Sequence, residues 1–336
     1  MIKNNENFCD FALIGSGNIA HKHGINIKKL FPKKTVVLCK RTKSPPDKNF
    51  KKFCSTITHD ISSIKPLNKK SVAIVASPAS MHISDSMILI NNGFNLLIEK
   101  PLSINEKNIK KLMTLCKNKK SQIMVGYNLR FLTSINKLKD IIKSNIYGNI
   151  ISAHIHVTSD ARKWRTSKQF ENTVSANKKL GGGVINELSH EIDYMYYIFG
   201  KPDDVVSLVN NTNTTIDVED SATSIFSFKN NKYHISLYQN MLSNNETRYI
   251  DVYCKKGKLQ LDLLNNTLEV KKNLSSKKRY KFKTGIVESY KTELIYLSRL
   301  IKTNKNNISP INSALSVVKI IAAMRKSSIQ KKVITL

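Results

Sequence analysis

Five short stretches hold the residues with the clearest chemical capacity. Gly15-Ser16-Gly17-Asn18-Ile19-Ala20 follows an apolar run at 11–14 and opens a helical pattern. Gly15 permits a tight turn out of a strand, Gly17 lets backbone approach a pyrophosphate, and Ala20 is small enough for helix–strand packing. With the N–H groups of the helix start, these positions, Asn18 and Ile19 included, suit the phosphates of a dinucleotide. Lys40-Arg41-Thr42 closes the next β-branched run, and no carboxylate follows before Asp47. Two cations and a hydroxyl suit a ribose 2′-phosphate and favour NADP(H) over NAD; ordinary lysine-rich loop residues are the other reading.

His190 stands three residues after Glu187 and three before Asp193. On one helix these side chains share a face, so either carboxylate is able to orient the imidazole for proton exchange with a hydroxyl. The triple glycine at 181–183 allows backbone or ligand to approach closely there. Trp164-Arg165 sets an aromatic face beside a guanidinium in an irregular polar stretch, which suits a sugar ring bearing an anionic group. Anchoring of that loop by Trp164 is the alternative. Lys100, between Glu99 and Pro101, has the ammonium needed to stabilise a developing alkoxide; taken alone, it reads as one surface lysine among many. His154 and His156 share a strand face but have no third ligand nearby, so no metal site is expected.

Regular elements must hold these stretches in place. Strand-like runs at 11–14, 35–39, 71–76, 95–98 and 122–127 alternate with helical patterns at about 79–92 and 104–118. That alternation predicts an α/β fold, a doubly wound parallel Rossmann sheet over residues 1–126. From about residue 150, runs at 150–157, 204–209, 221–228, 233–238, 248–253 and 258–262 predict a large, mostly antiparallel open sheet. Residues 127–336 are therefore expected to form an α+β domain, with helices on one sheet face and the other left for a partner; substrate binding and oligomerisation there are what the family resemblance given below implies. The apolar segment 315–324 predicts a helix packed back on the body.

Further motifs fall in order along the chain: 76–82 with Ser77, Pro78 and His82, then Ile98-Glu99-Lys100-Pro101-Leu102-Ser103, then 125–131 with Tyr127, Asn128 and Arg130, then Trp164-Arg165, then 180–194. Together they resemble the Gfo/Idh/MocA oxidoreductase family from about residue 10 to the end of the chain. The resemblance implies an NAD(P)-dependent enzyme acting on a secondary alcohol or ketone of a sugar, sugar acid or nucleotide-linked sugar. It adds Ser77, Pro78, His82, Glu99 and Lys100 to the cofactor residues. Lys100 would hold and polarise the substrate oxygen, and His190, with Glu187 or Asp193, would take the proton. Tyr127, Asn128, Arg130, Trp164, Arg165, Asn186 and His190 would line the substrate. Many family members carry Asp four residues before the histidine; this chain has Asn186, with Glu187 adjacent. The wording of 181–193 is similar to a subgroup associated with surface-glycan and nucleotide-sugar pathways.

Composition narrows the remaining classes. The 336 residues include 55 Lys and Arg against 24 Asp and Glu, a net charge of +31. The lysine excess is spread along the whole chain beside heavy use of Asn and Ile, so it reads as a solvated surface and not as a nucleic-acid site. No apolar run nears the ~20 residues of a membrane helix. Met1-Ile2-Lys3-Asn4-Asn5-Glu6-Asn7 lacks a signal-peptide core, so a cytoplasmic enzyme is expected. Five scattered cysteines read as free thiols. A homodimer or homotetramer through the second sheet is expected. The rival functions are a bound, recycled cofactor serving epimerisation, elimination or glycoside cleavage, and dinucleotide sensing without catalysis.

Overall fold

The structure is a computed structural model that describes residues 7–41, 48–164, 169–229, 232–272, 276–303, 305 and 307–336. Thr42 and Arg165 lie outside the described residues. Two compact units result: Met1–Tyr127 with Tyr290–Leu315, and Asn128–Ser289 with Ser316–Leu336.

The first unit holds strands β1 (Asn7–Cys9), β2 (Phe11–Ile14), β3 (Val36–Cys39), β4 (Thr56–Thr58), β5 (Ile64–Pro66), β6 (Val72–Val75), β7 (Asn95–Ile98) and β8 (Ile123–Val125). Helices α1 (Asn18–Leu30), α2 (His82–Asn92) and α3 (Ile109–Lys119) connect them. Six strands form a sheet in the order β4-β3-β2-β6-β7-β8, and every pairing is parallel. All residues of β3, β6, β7 and β8 are buried, as expected of continuous apolar runs in a parallel sheet covered on both faces.

Register sets the functional edge. Ile14 pairs with Cys39 and Val75, Val75 with Ile98, and Ile98 with Val125. The residues that follow, Lys40, Gly15, Ala76, Glu99 and Gly126, therefore form a row along the carboxyl edge. Strand order reverses at β2, and in open α/β sheets ligands bind at such a switch point.

The helical pattern at 79–92 resolves into a 3-10 turn at Ala79–Met81 followed by α2. The pattern at 104–118 is helical only from Ile109. Asn105 accepts the Lys107 N–H at 2.9 Å, and Asn108 has a left-handed φ of 62°; both are local turn solutions that compete with helix.

The second unit contains α4 (Thr133–Ser144), β9 (Ile150–Asp160), α5 (Val184–Glu187) and α6 (Ser189–Phe199). It continues with β10 (Asp204–Asn210), β11 (Ser221–Phe228), β12 (Tyr233–Asn240), β13 (Leu242–Cys254), β14 (Gly257–Asp262), β15 (Thr267–Lys272) and β16 (Ser276–Lys281). After α7 (Ile286–Thr303) and α8 (Ile311–Gln330), β17 (Ile334–Thr335) ends the fold. Nine strands run in the order β16-β15-β14-β13-β9-β12-β11-β10-β17, and among these pairings β9–β12 is parallel while the others are antiparallel. Burial alternates along β11, with Ala222, Ser224, Phe226 and Phe228 inward and Thr223 and Ile225 outward, the period-2 signature of a sheet covered on one face. On the other face the His156 ring stacks between Tyr238 and Tyr249, each at 4.9 Å.

Against the expected division into 1–126 and 127–336, the compact units differ at two places, Tyr127 and Tyr290–Leu315 both belonging to the first unit. Ser309 Oγ donates to the Val125 carbonyl at 2.7 Å, Asn307 Nδ2 donates to the Ile123 carbonyl at 2.8 Å, and Met124 bridges Pro310. This segment returns to cover the otherwise open edge of β8. Among the described residues no helix is long and apolar enough to cross a membrane.

Candidate active site

The glycine turn is built as its chemistry requires. Gly15 has a φ of +104°, and a Cβ there would meet the Ala76 carbonyl oxygen at 2.5 Å. Only glycine lets β2 and β6 come that close. A Cβ on Gly17, in contrast, would meet nothing within 4 Å. Gly17 is the N-cap of α1 and offers no side-chain cap, and the first turn carries no acidic residue. Among the described residues the amide end of α1 thus carries neither a side-chain cap from Gly17 nor an acid in its first turn, the arrangement that receives a pyrophosphate. These residues fit a nicotinamide dinucleotide.

At the end of β3, Lys40 is buried and its carbonyl contacts His59 Nδ1. Arg41 is half exposed and pairs with the fully buried carboxylate of Asp85 on α2. Ser77 donates to the other Asp85 oxygen at 2.7 Å. Burial raises the Asp85 pKa, opposed by the Ser77 hydrogen bond and the Arg41 charge. The sequence reading missed Asp85; its signal is a single acid among the buried residues of α2, which are His82, Ile83, Ser86, Leu89 and Ile90.

His82, expected among the cofactor residues, is buried between two loops of the carboxyl edge. Its Nδ1 lies 2.9 Å from the Pro101 carbonyl and its Nε2 lies 2.8 Å from the Ser77 carbonyl, so the ring ties the loop after β6 to the loop after β7. Burial pushes its pKa down, with the two carbonyls acting the other way. A neutral ring can donate to only one of them. Pro78 begins the 3-10 turn that places this histidine. Asn18 is exposed and Ile19 half-buried at the start of α1.

Glu99 is buried directly after β7, and its Oε1 stands 2.6 Å from Nε2 of His23 on α1. Its other oxygen accepts the Lys100 N–H at 3.3 Å. Lys100 itself is half-buried, and the Lys100–Pro101 peptide bond is cis. An ammonium at the carboxyl edge, one strand beyond the strand beside the glycine turn, is placed to meet a ligand bound at the switch point.

In the second unit the triple glycine answers to backbone packing. A Cβ on Gly182 would meet the Ser175 carbonyl oxygen at 2.4 Å, and one on Gly183 would meet the Glu219 carboxylate at 2.7 Å. Asn186 is buried and donates its amide back to the Gly181 and Gly182 carbonyls at 3.1 and 3.4 Å. Glu187 and His190 do not lie on the one uninterrupted helix that was expected. Glu187 ends α5, Leu188 leaves helical geometry (φ −100°, ψ 34°), and α6 begins at Ser189. His190 sits buried in the first turn of α6.

Two residues expected at the site, Arg130 and Asp193, meet each other. Asp193 accepts two hydrogen bonds from Arg130, Nε to Oδ2 at 2.8 Å and Nη2 to Oδ1 at 2.6 Å. Both side chains are at most 2% exposed. Arg130 and Asp193 thus form a buried ion pair. Burial raises the Asp193 pKa while Arg130 lowers it. Of the other expected substrate residues, Tyr127 and Asn128 are buried, and Asn128 Nδ2 donates to Ser289 Oγ at 2.6 Å. Trp164 is half-buried, its Nε1 donating to Ser159 Oγ on β9 at 2.9 Å, which anchors the loop.

Comparison with known proteins follows the same division. Residues 9–127 match the NAD-binding Rossmann fold of an oxidoreductase family, GFO/IDH/MocA, and residues 135–260 match the GFO/IDH/MocA C-terminal domain. The chain belongs to the Gfo/Idh/MocA oxidoreductase family. Its Rossmann unit is therefore an NAD-binding domain.

Among curated family relatives, oxidoreductase P35 of Formosa agariphila is 24% identical over 220 residues, 65% of this chain and 64% of that protein. Glucose-6-phosphate 3-dehydrogenase of Bacillus subtilis is 25% identical over 188 residues, 56% of this chain and 53% of that protein. The chain thus matches between half and two-thirds of the length of these relatives. A solved levoglucosan dehydrogenase in complex with NADH and levoglucosan superposes with a TM-score of 0.81 at 16% identity, covering 98% of this chain and 99% of that one. At that identity the likeness is one of fold.

Proposed function

We propose that this member of the family is an NAD(P)-dependent dehydrogenase or reductase acting on a secondary alcohol or ketone of a sugar, sugar acid or nucleotide-linked sugar. One observation carries the reading: register sets Lys100 at the same carboxyl edge as the open Gly17 turn. The sugar-directed names of the glucose-6-phosphate and levoglucosan dehydrogenases support the substrate class.

A bound nicotinamide supplies the hydride acceptor or donor. Gly15, Gly17, Asn18 and Ile19 would hold its pyrophosphate, with Ser77 and Pro78 beside them. Arg41 and Lys40 would read a 2′-phosphate and favour NADP(H), Asp85 fixing the Arg41 guanidinium in advance. Lys100 would hold the substrate oxygen and stabilise the charge that develops on it. His190 would exchange the hydroxyl proton, with Glu187 near it in sequence as a supporting carboxylate. The outer face of the nine-stranded sheet, with His154, His156, Tyr238, Tyr249 and Ile225, would form the contact of a homodimer or homotetramer.

The test is turnover. Purified protein is offered hexoses, sugar phosphates, sugar acids and UDP-linked sugars with NAD+ or NADP+, and formation of reduced nicotinamide is followed by absorbance. Saturable turnover with at least one class, faster with NADP+, is expected. Chemical change of a sugar with no net change in nicotinamide absorbance would instead identify a recycled cofactor.

A further inference from the structure

Three ionisable side chains meet inside the first unit. His23 of α1, Glu99 after β7 and Glu293 of α7 bring ligand-type atoms within 4.8 Å of one another, all three residues being buried. His23 and Glu293 have no exposed surface, and Glu99 has 6%. His23 Nε2 and Glu99 Oε1 are in hydrogen-bond contact at 2.6 Å. Among the described residues, both Glu293 oxygens and His23 Nδ1 lack a hydrogen-bond partner. The room for Glu99 is made by Gly126, where a Cβ would come 3.2 Å from its carboxylate.

Two species answer for such a cluster: a metal ion or protons. Zinc bound at about 2.0–2.2 Å to each ligand holds its donor atoms roughly 3.3 Å apart. At 2.6 Å the His23 and Glu99 atoms are too close to share a metal and are at the distance at which they share a proton. A buried carboxylate with no donor takes up a proton instead of ionising. Burial, followed by the charge of Glu99, holds the Glu293 carboxyl well above the usual carboxylate range.

We propose that His23 is a positioning residue for Lys100, sharing a proton with Glu99 and so fixing its carboxyl group against the Lys100 N–H, while Glu293 beside them is kept in its protonated form. Its link to catalysis rests on the role proposed above for Lys100. The other groups facing the triad are few. Tyr290 of α7 lays its ring edge to face with His23 at 5.8 Å, and Lys22 of α1 sits over that ring at 4.3 Å. The Lys22 charge feels Glu99 while burial lowers its pKa, and His82 feels Glu99 from α2.

The sign of the pH effect is fixed. Glu293 keeps its proton in the fold while the unfolded chain loses it above the ordinary glutamate range. The folding constant therefore falls about tenfold per pH unit on account of this group. Gln carries no such proton. Glu293→Gln is expected to melt close to wild type near about pH 5 and above it near about pH 8. A Gln variant that loses stability at the higher pH would overturn the proposal. So would a chelator that lowers the wild-type melting temperature, because a metal would then hold the cluster.

The positioning role is read by amide hydrogen exchange at Lys100, which needs no substrate. His23→Leu is expected to speed that exchange roughly tenfold, while His23→Gln, which keeps a donor for Glu99, retains protection. Equal exchange in both variants would contradict the role. These measurements decide the triad even if no sugar is turned over, whereas loss of turnover bears on the catalytic reading alone.

Discussion

Lys100→Ala is expected to lower kcat by about 10³-fold, the scale of removing one group that stabilises charge in a transition state. The melting temperature should change little, because a half-buried side chain at the end of a strand supports little core. Lys100→Met, which keeps the aliphatic stem and drops the ammonium, should lose as much activity as Ala, placing the loss on charge and not on packing. Steady-state kinetics alongside a melt of each variant checks this. Retention of kcat within tenfold would remove Lys100 from the reaction and leave the carboxyl edge without its proposed electrophile.

The second large effect concerns stability. Asp193→Asn or Arg130→Met leaves one buried charge without its partner, and each is expected to cost about 3–5 kcal/mol. In a chain of this size that is a fall on the order of 10 °C in melting temperature. Removing both charges with Arg130→Met and Asp193→Leu should recover most of the loss. With its pKa raised in the fold by burial, against the pull of Arg130, the Asp193 carboxyl contributes its full share of stability only below the ordinary aspartate range. The pair ties α6 to the 3-10 turn at Asn128–Phe131. Single variants that melt like wild type would show the pair to be dispensable.

Much of this architecture was legible in the sequence, and the parts that were not share physical causes. The strands at 72–75 and 95–98 announced themselves because a parallel strand buried on both faces is a continuous apolar run. The strands at 267–272 and 276–281 did not, because Lys271, Lys272, Lys277, Lys278 and Lys281 hide the alternation on a sheet edge. The segment from Tyr290 carries an ordinary amphipathic pattern, which states that it covers something but not which unit. At the site, the glycine turn was readable because its backbone demands are local. The break at Leu188 was not, since nothing between Glu187 and His190 is a helix breaker. The partners Arg130–Asp193, Arg41–Asp85 and His23–Glu99 lie 63, 44 and 76 residues apart, separations across which spacing carries no information.

The central claim is that the Gly17 turn holds a nicotinamide dinucleotide, and a fluorescence titration of wild type and Gly17→Asp with NADH and NADPH tests it most directly. Aspartate is a favourable N-cap and meets open space at this position, so the variant should melt at or slightly above wild type. Its carboxylate would repel the pyrophosphate at the helix start, and affinity for both dinucleotides is expected to fall by at least about tenfold. Saturable wild-type binding, tighter for NADPH and lost in Gly17→Asp without loss of fold, is the predicted result. A wild-type protein that binds neither dinucleotide, and releases none on denaturation, would contradict the account.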